Sequence, residues 1–418
     1  MTSDTAAREF DLVVFGATGF TGGFIARYLA DHAPAQVSIA LAGRDLIKLA
    51  KVRDALPPRA SRWTLVQADV ESPASLDAMA ARTRVVVTSV GPWLRYGENL
   101  VAAAVNAGCH YLDLTAEPPF VRWSIDNFHD QAVANGCRIV HSAGFDSIPS
   151  DLPVYLLHRT VAAAGEGTLT DTTMVVRKFV MWASGGSVDT GRVLAEHAFR
   201  KGVLRLLLDR DSLTANPGET PPSTAQPSDL RIVRAATVDP ALRGTLAPFA
   251  AAFYNTRVVR RSNALLGDAY GPGFRYSETL GVTELPIIST VAAGAVLAGY
   301  AVAATALAVP PIRRILDRLL PAAGHGPSET IRDKGVLDIE TYTRTTTGAR
   351  YVAHYHADGD PGYEVSALMI GQAALALVQD GDRLPEISGV LTTAAAFGDV
   401  LIDRLRAAGL TLDCRRLA

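Results

Sequence analysis

The chain has 418 residues, 48% of them hydrophobic and 20% charged, with a formal net charge of −2. That length and apolar content suit two folded domains and exclude a disordered chain. The near-zero charge excludes a nucleic-acid binder that relies on bulk attraction for phosphate. Cys109, Cys137 and Cys414 are scattered and form no CxxC pair, so no disulfide framework and no metal site are expected, and a reducing, cytoplasmic setting is. The polar start, MTSDTAAREFD, lacks the basic and apolar regions of a secretory signal, so none is expected.

In chain order, short apolar runs alternate with helical stretches over the first 150 residues. Strands are predicted at Phe10–Phe15, Val37–Ala42, Trp63–Ala68, Val85–Val90, Tyr111–Leu114 and Arg138–Ser142. Helices are predicted between them, at Phe20–His32, Leu46–Leu56, Pro73–Ala81, Asn99–Ala107 and Phe120–Asn135. This rhythm predicts an α/β fold, a Rossmann-like doubly wound parallel sheet, as a first domain over 1–150. The rhythm then stops. A longer strand is predicted at Thr170–Val180 and a Pro/Ser/Thr-rich loop at 215–230. Two alternating runs within 336–356, joined at TTGA, predict an antiparallel hairpin, and helices are expected at 362–378 and 392–407. The second domain, over 151–391, is thus expected to be α+β with an antiparallel sheet. A C-terminal helix within 392–418 is expected to pack back on the first domain.

Residues 285–312 carry no charge, and Arg313 and Arg314 follow. The segment is long enough for a membrane helix, although Pro286 and the Pro310–Pro311 pair trim it to about twenty residues. Two readings stand: peripheral membrane contact, or a buried helical hairpin. The basic clusters RVVRR at 257–261 and RRILDR at 313–318 favour contact with anionic lipid.

The stretch VVFGATGFTG, residues 13–22, joins a buried strand to a helix through Gly16, Gly19 and Gly22. A strand, a glycine turn and a helix N-terminus in that order hold a dinucleotide pyrophosphate. Gly16 permits the tight turn, Gly19 a close approach of backbone to phosphate, and Gly22 close packing of helix on sheet. Ala17, Thr18 and Phe20 complete the cofactor loop. An NAD site usually ends its second strand in an acid, whereas here the strand ends ALAGRD and Arg44 stands at that place. A guanidinium matches a 2′-phosphate in shape and charge, which predicts NADPH. The competing reading pairs Arg44 with a surface carboxylate. Asp69, after the third strand, is an adenine contact or a turn residue. Gly91, after the fourth, is expected near the nicotinamide half.

No Tyr is followed four residues later by Lys, and there is no zinc spacing, GxSxG elbow or P-loop. SAGFDSIPSD at 142–151 reads as a shaped loop at the sheet edge followed by a helix capped by Ser150 or Asp151. SGGS at 184–187 reads as an anion-cradling turn or an ordinary glycine turn before a helix from about Val188.

GATGFTG, LAGR, VGPW with YG, GFDSIPSD and SGG, in this order, resemble the saccharopine dehydrogenase-like oxidoreductases. FYNTRVVRRSNAL at 253–265, FRYSE at 274–278 and TTTGARY at 345–351 extend the resemblance to the mycobacterial trans-acting enoyl reductases, over nearly the whole chain. The resemblance implies a stand-alone NADPH-dependent reductase acting on an α,β-unsaturated thioester. Its partner would be a polyketide synthase acyl carrier domain bearing a lipid-like acyl group, in long-chain lipid and glycolipid biosynthesis. It also implies a place at the cytoplasmic face of the plasma membrane. Conjugate reduction needs a donor for the developing enolate and an acid for Cα. Tyr96, Ser147 and the amides of Gly91 and Gly144 are candidate donors, and Asp146 could orient one. Arg257, Arg260 and Arg261 are expected to meet an acidic carrier or lipid headgroups. A saccharopine-type amino-acid dehydrogenase and a non-enzymatic NADP-binding membrane scaffold remain the alternatives at this point.

Overall fold

The computed structural model describes residues 8–181, 185–198, 202–217, 219, 224–308 and 328–418. Among them are fourteen strands. These are β1 (Phe10–Phe15), β2 (Ile39–Gly43), β3 (Thr64–Gln67), β4 (Thr83–Thr88), β5 (His110–Leu112), β6 (Arg138–Val140) and β7 (Leu169–Val180), then β8 (Val233–Arg234), β9 (Thr245–Pro248), β10 (Arg275–Gly281), β11 (Val336–Thr345), β12 (Arg350–Asp358), β13 (Gly389–Leu391) and β14 (Thr411–Arg416). Two compact units result. One joins the chain up to Phe145 with Tyr363–Arg404, and the other joins Asp146–Gly362 with Leu405–Ala418.

The first unit holds a seven-stranded sheet in the order β13-β6-β5-β4-β1-β2-β3. All six of its strand pairings are parallel. Reversal of strand order between β1 and β4 makes the switch point at which doubly wound sheets bind ligands. The sequence of β4, TRVVVT, explains its place: all but one of its residues are buried, as β-branched side chains covered on both faces must be. The helix Ser366–Gln379 also belongs to this unit. Its Gly371 lies so close to Tyr28 that a Cβ would sit 2.5 Å from the ring, and Gln372 Nε2 donates to the Tyr28 hydroxyl at 2.7 Å.

The second unit holds a mixed sheet in the order β14-β12-β11-β7-β10-β9-β8. β7 and β10 run parallel and the other pairs antiparallel. β11 and β12 form the expected hairpin about 346–349. The helix expected at 392–407 is two helices, Thr393–Phe397 and Asp399–Ala407, broken at Gly398, and the chain ends in β14 rather than in helix.

The apolar segment forms the helix Pro286–Ala308, with residues 309–312 and the RRILDR cluster outside the described residues. The helix is long and apolar enough to cross a membrane, and only 11% of Pro286–Ala303 is buried. Ile287 is 82% exposed, and Val291 and Val302 are each 69% exposed. The expectation for the other basic cluster is overturned. Arg257, Arg260 and Arg261 lie on the helix Ala252–Leu265 and are all buried. Their guanidiniums donate to the carbonyls of Leu207 (3.0 Å), Arg210 (2.7 Å) and Leu213 (2.9 Å), and Arg257 also pairs with Asp229 at 2.8 Å. Spaced at helical intervals, they staple the passing segment 207–213 and present nothing to a carrier or a lipid.

Candidate functional site: a dinucleotide turn and two buried polar networks

The glycine turn follows β1 and opens the helix Phe20–His32. Gly16 has φ +86°, a conformation that costs an L residue about 1–2 kcal/mol. A Cβ on Gly16 would lie 2.3 Å from Val90 Cγ2, and one on Gly22 would lie 2.2 Å from the Gly16 carbonyl oxygen. The turn thus closes tightly on the helix and on the end of β4. Gly19 is the N-cap residue and supplies no side-chain cap, and it is exposed with Thr18, so the helix N-terminus keeps its positive end open. Ala17 is buried and Phe20 half-buried, edge-on to Phe24 and Tyr363.

At the end of β2 the two neighbours Arg44 and Asp45 divide the work. Asp45 caps the helix Leu46–Ala55, accepting from the amides of Ile47 (2.9 Å) and Lys48 (3.0 Å). Arg44 is exposed, and its guanidinium makes no ion pair or hydrogen bond among the described residues. Asp69 Oδ1 accepts from the Glu71 amide at 3.1 Å, a turn bond that occupies one of its oxygens.

Gly91 lies over the Trp93 ring, 2.8 Å from where its Cβ would be. Tyr96 ends the one-turn helix Trp93–Tyr96, is 37% exposed, and its hydroxyl has no partner among the described residues. One turn of helix cannot hold itself. It is held by Glu117, a wholly buried carboxylate that accepts from the amides of Trp93 (3.1 Å) and Leu94 (2.8 Å). Beside it, buried Asp113 accepts from the Tyr111 hydroxyl, His141 Nδ1 and the amides of Thr115 and Ser142, at 2.8–3.1 Å, tying the ends of β5 and β6 together. Ser142, next in the chain, has φ +60°. The sequence reading missed Glu117, Asp113 and His141. The available signal was DLTAEPP, two acids between a strand and a helix opened by proline.

Asp146 and Ser147 belong to the second unit. The helix of GFDSIPSD is Ile148–Ala163, so Ser147 occupies the N-cap and Ser150 and Asp151 lie inside the first turn rather than capping it. Ser147 is wholly buried and donates to Asn255 Oδ1 at 3.2 Å. Asn255 Nδ2 in turn faces Glu278 Oε2 at 3.4 Å, and the Tyr276 hydroxyl donates to Glu278 Oε1 at 3.0 Å. Three separate stretches of the chain thus converge on one buried network. Ser184 lies outside the described residues, and Gly185 already begins the helix Gly185–Ala198, so the two glycines of SGGS are helical.

Burial pushes the Glu278 carboxyl up to about 7, against the opposing hydrogen bonds. A carboxyl raised in the fold costs nothing below its unfolded value, near 4.5, and destabilises progressively as pH rises to about 7. A rise of that size corresponds to about 3 kcal/mol. The expected result is that Glu278→Gln flattens the loss of stability between pH 5 and 8, read from urea midpoints across pH. An unchanged slope contradicts this.

A parallel sheet reversing at β1 and β4, a glycine cradle that a Cβ would fill and a cation after β2 that is unpaired among the described residues fit NADPH and define a dinucleotide-binding unit. Residues 12–140 match the saccharopine dehydrogenase NADP binding domain. Over the full length, the trans-acting enoyl reductase of Mycobacterium bovis BCG is 45% identical across 419 residues, and that of Mycobacterium ulcerans 44%, each covering 99% of both chains. A relative from Mycobacterium tuberculosis H37Rv is 47% identical over 416 residues, 98% of this chain and 99% of that one. The chain belongs to the trans-acting enoyl reductases of the saccharopine dehydrogenase-like family. Apo saccharopine dehydrogenase (L-Glu forming) from Saccharomyces cerevisiae shares its fold, with a TM-score of 0.52 at 15% identity, over 98% of this chain and 100% of that one.

Proposed function

We propose that this protein reduces the carbon–carbon double bond of an α,β-unsaturated acyl thioester borne by the acyl carrier domain of a polyketide synthase, in long-chain lipid and glycolipid biosynthesis. The observation that carries the reading is full-length identity of 44–45% to proteins named trans-acting enoyl reductase. NADPH supplies the hydride. In this reading Gly16, Ala17, Thr18, Gly19, Phe20 and Gly22 hold its pyrophosphate, Arg44 its 2′-phosphate, Asp69 its adenosine end and Gly91 its nicotinamide end. Tyr96 donates a hydrogen bond to the thioester oxygen as charge gathers there. Support for Tyr96 comes from its unpartnered hydroxyl and from Glu117, which fixes the turn that bears it. Ser147, buried and committed to Asn255, acts by positioning within the second unit.

The exposed apolar helix Pro286–Ala308 supports a peripheral site at the cytoplasmic face of the plasma membrane, where lipid-like acyl chains gather. The reading is tested by following NADPH absorbance with a long-chain enoyl-pantetheine. Turnover is expected in the wild type. Tyr96→Phe is expected to lower kcat by about 100-fold with NADPH binding unchanged, the size of effect of removing one oxyanion donor. Turnover undiminished in Tyr96→Phe removes that residue from the chemistry.

A further inference from the structure

The second unit contains a cavity of about 560 Å³ that none of the roles above uses. Its floor is one face of the mixed sheet, laid out by strand register. Thr173 on β7 is paired with Ser277 on β10 and with Tyr342 on β11. Two residues outward on the same face stand Asp171, its partner Arg275, and Arg344. The roof is the end of the Pro/Ser/Thr-rich loop and the residues that follow it. It is pinned by Gln226, whose side chain donates to the Phe274 carbonyl just before β10 (3.1 Å) and accepts from the Tyr276 amide in β10 (3.3 Å), and it brings Arg231 to the cavity.

Deeper along this face, Val175 joins Val233, Leu242, Leu246 and Val352 in an apolar cluster. Toward the cavity the same face turns to hydroxyls and charge, which is not the composition of a packing surface. Three guanidiniums share one carboxylate, and Arg275 already takes it, at 2.7 Å from Asp171. Arg231 and Arg344 make no hydrogen bond or ion pair through their side chains among the described residues. Two uncompensated forks above buried hydroxyls suit an anion with several oxygens, and the volume leaves room for a chain attached to it.

We propose that this cavity holds the phosphate of a 4′-phosphopantetheine arm, an assignment that rests on the thioester reading above. The test is calorimetric titration of the full chain, saturated with NADP⁺ to fill the nucleotide site, with 4′-phosphopantetheine, pantetheine and inorganic phosphate. Phosphopantetheine is expected to bind at least about 10-fold more tightly than pantetheine, and more tightly than inorganic phosphate. An Arg231→Ala/Arg344→Ala double variant, which removes two exposed side chains and keeps the wild-type melting curve, is expected to bind phosphopantetheine and pantetheine alike. Equal binding of the two by the wild type overturns the proposal. A preference that survives in the double variant does the same, as does inorganic phosphate matching phosphopantetheine. Because the readout is binding, absent turnover of enoyl thioesters beside an intact preference counts against the reduction and not against the cavity.

Discussion

Gly22→Ala is expected to abolish NADPH binding at concentrations that saturate the wild type. The new methyl carbon would sit 2.2 Å from the Gly16 carbonyl oxygen, 2.9 Å from its carbon and 3.0 Å from Ser89 Oγ. The first two are backbone atoms of the turn itself, so relief requires the turn to move off the helix that it opens. Overpacking of this kind costs about 1–3 kcal/mol, and here the strain falls on the segment proposed to present its amides to phosphate. Gly16→Ala combines a left-handed backbone with a clash against Val90, whose side chain can partly yield. Gly19→Ala meets only the Gly16 carbonyl oxygen, at 3.3 Å. The expected order of loss is therefore Gly22, then Gly16, then Gly19, measured by NADPH fluorescence titration with a thermal melt of each variant. Wild-type affinity in Gly22→Ala would remove the turn from the cofactor site.

Arg44→Asp is expected to weaken NADPH by about 100-fold while leaving NADH within about threefold, since charge-assisted hydrogen bonds are worth about 1.5–3 kcal/mol. The structure favours this reading over a structural ion pair, because Asp45 is engaged in capping and no other carboxylate reaches the Arg44 guanidinium among the described residues. The fold should be unaffected, as the side chain is exposed. Equal losses for both nucleotides would show that Arg44 does not read the 2′-phosphate.

What was legible in the sequence was local. A buried strand, three glycines and a helix are contiguous in the chain, so the turn and its cation could be read from residues 10–44. The hairpin β11–β12 was legible for the same reason, its two runs being separated only by TTGA. Strands as short as β8 and β13, two and three residues long, carry no periodicity of their own, and β13 pairs with β6, far off in the chain. The arginines of RVVRR look like a surface cluster in sequence. The carbonyls that make burial possible come from elsewhere in the chain, from the segment 207–213 folded over them and from Tyr276. Glu117 was hidden likewise, because a carboxylate that caps another segment's amides has no signature at its own position. Ser147 was singled out by its motif, but its partner Asn255 lies 108 residues away, so its commitment to a buried network could not be read.

The most direct test follows the label from NADPH deuterated at the transferable position into the product of a carrier-bound 2-enoyl thioester, read by mass spectrometry. The account predicts a saturated thioester with a single deuteron on Cβ, formed by the wild type and lost in Gly22→Ala. A deuteron on the former carbonyl carbon, or a product without label, would contradict it.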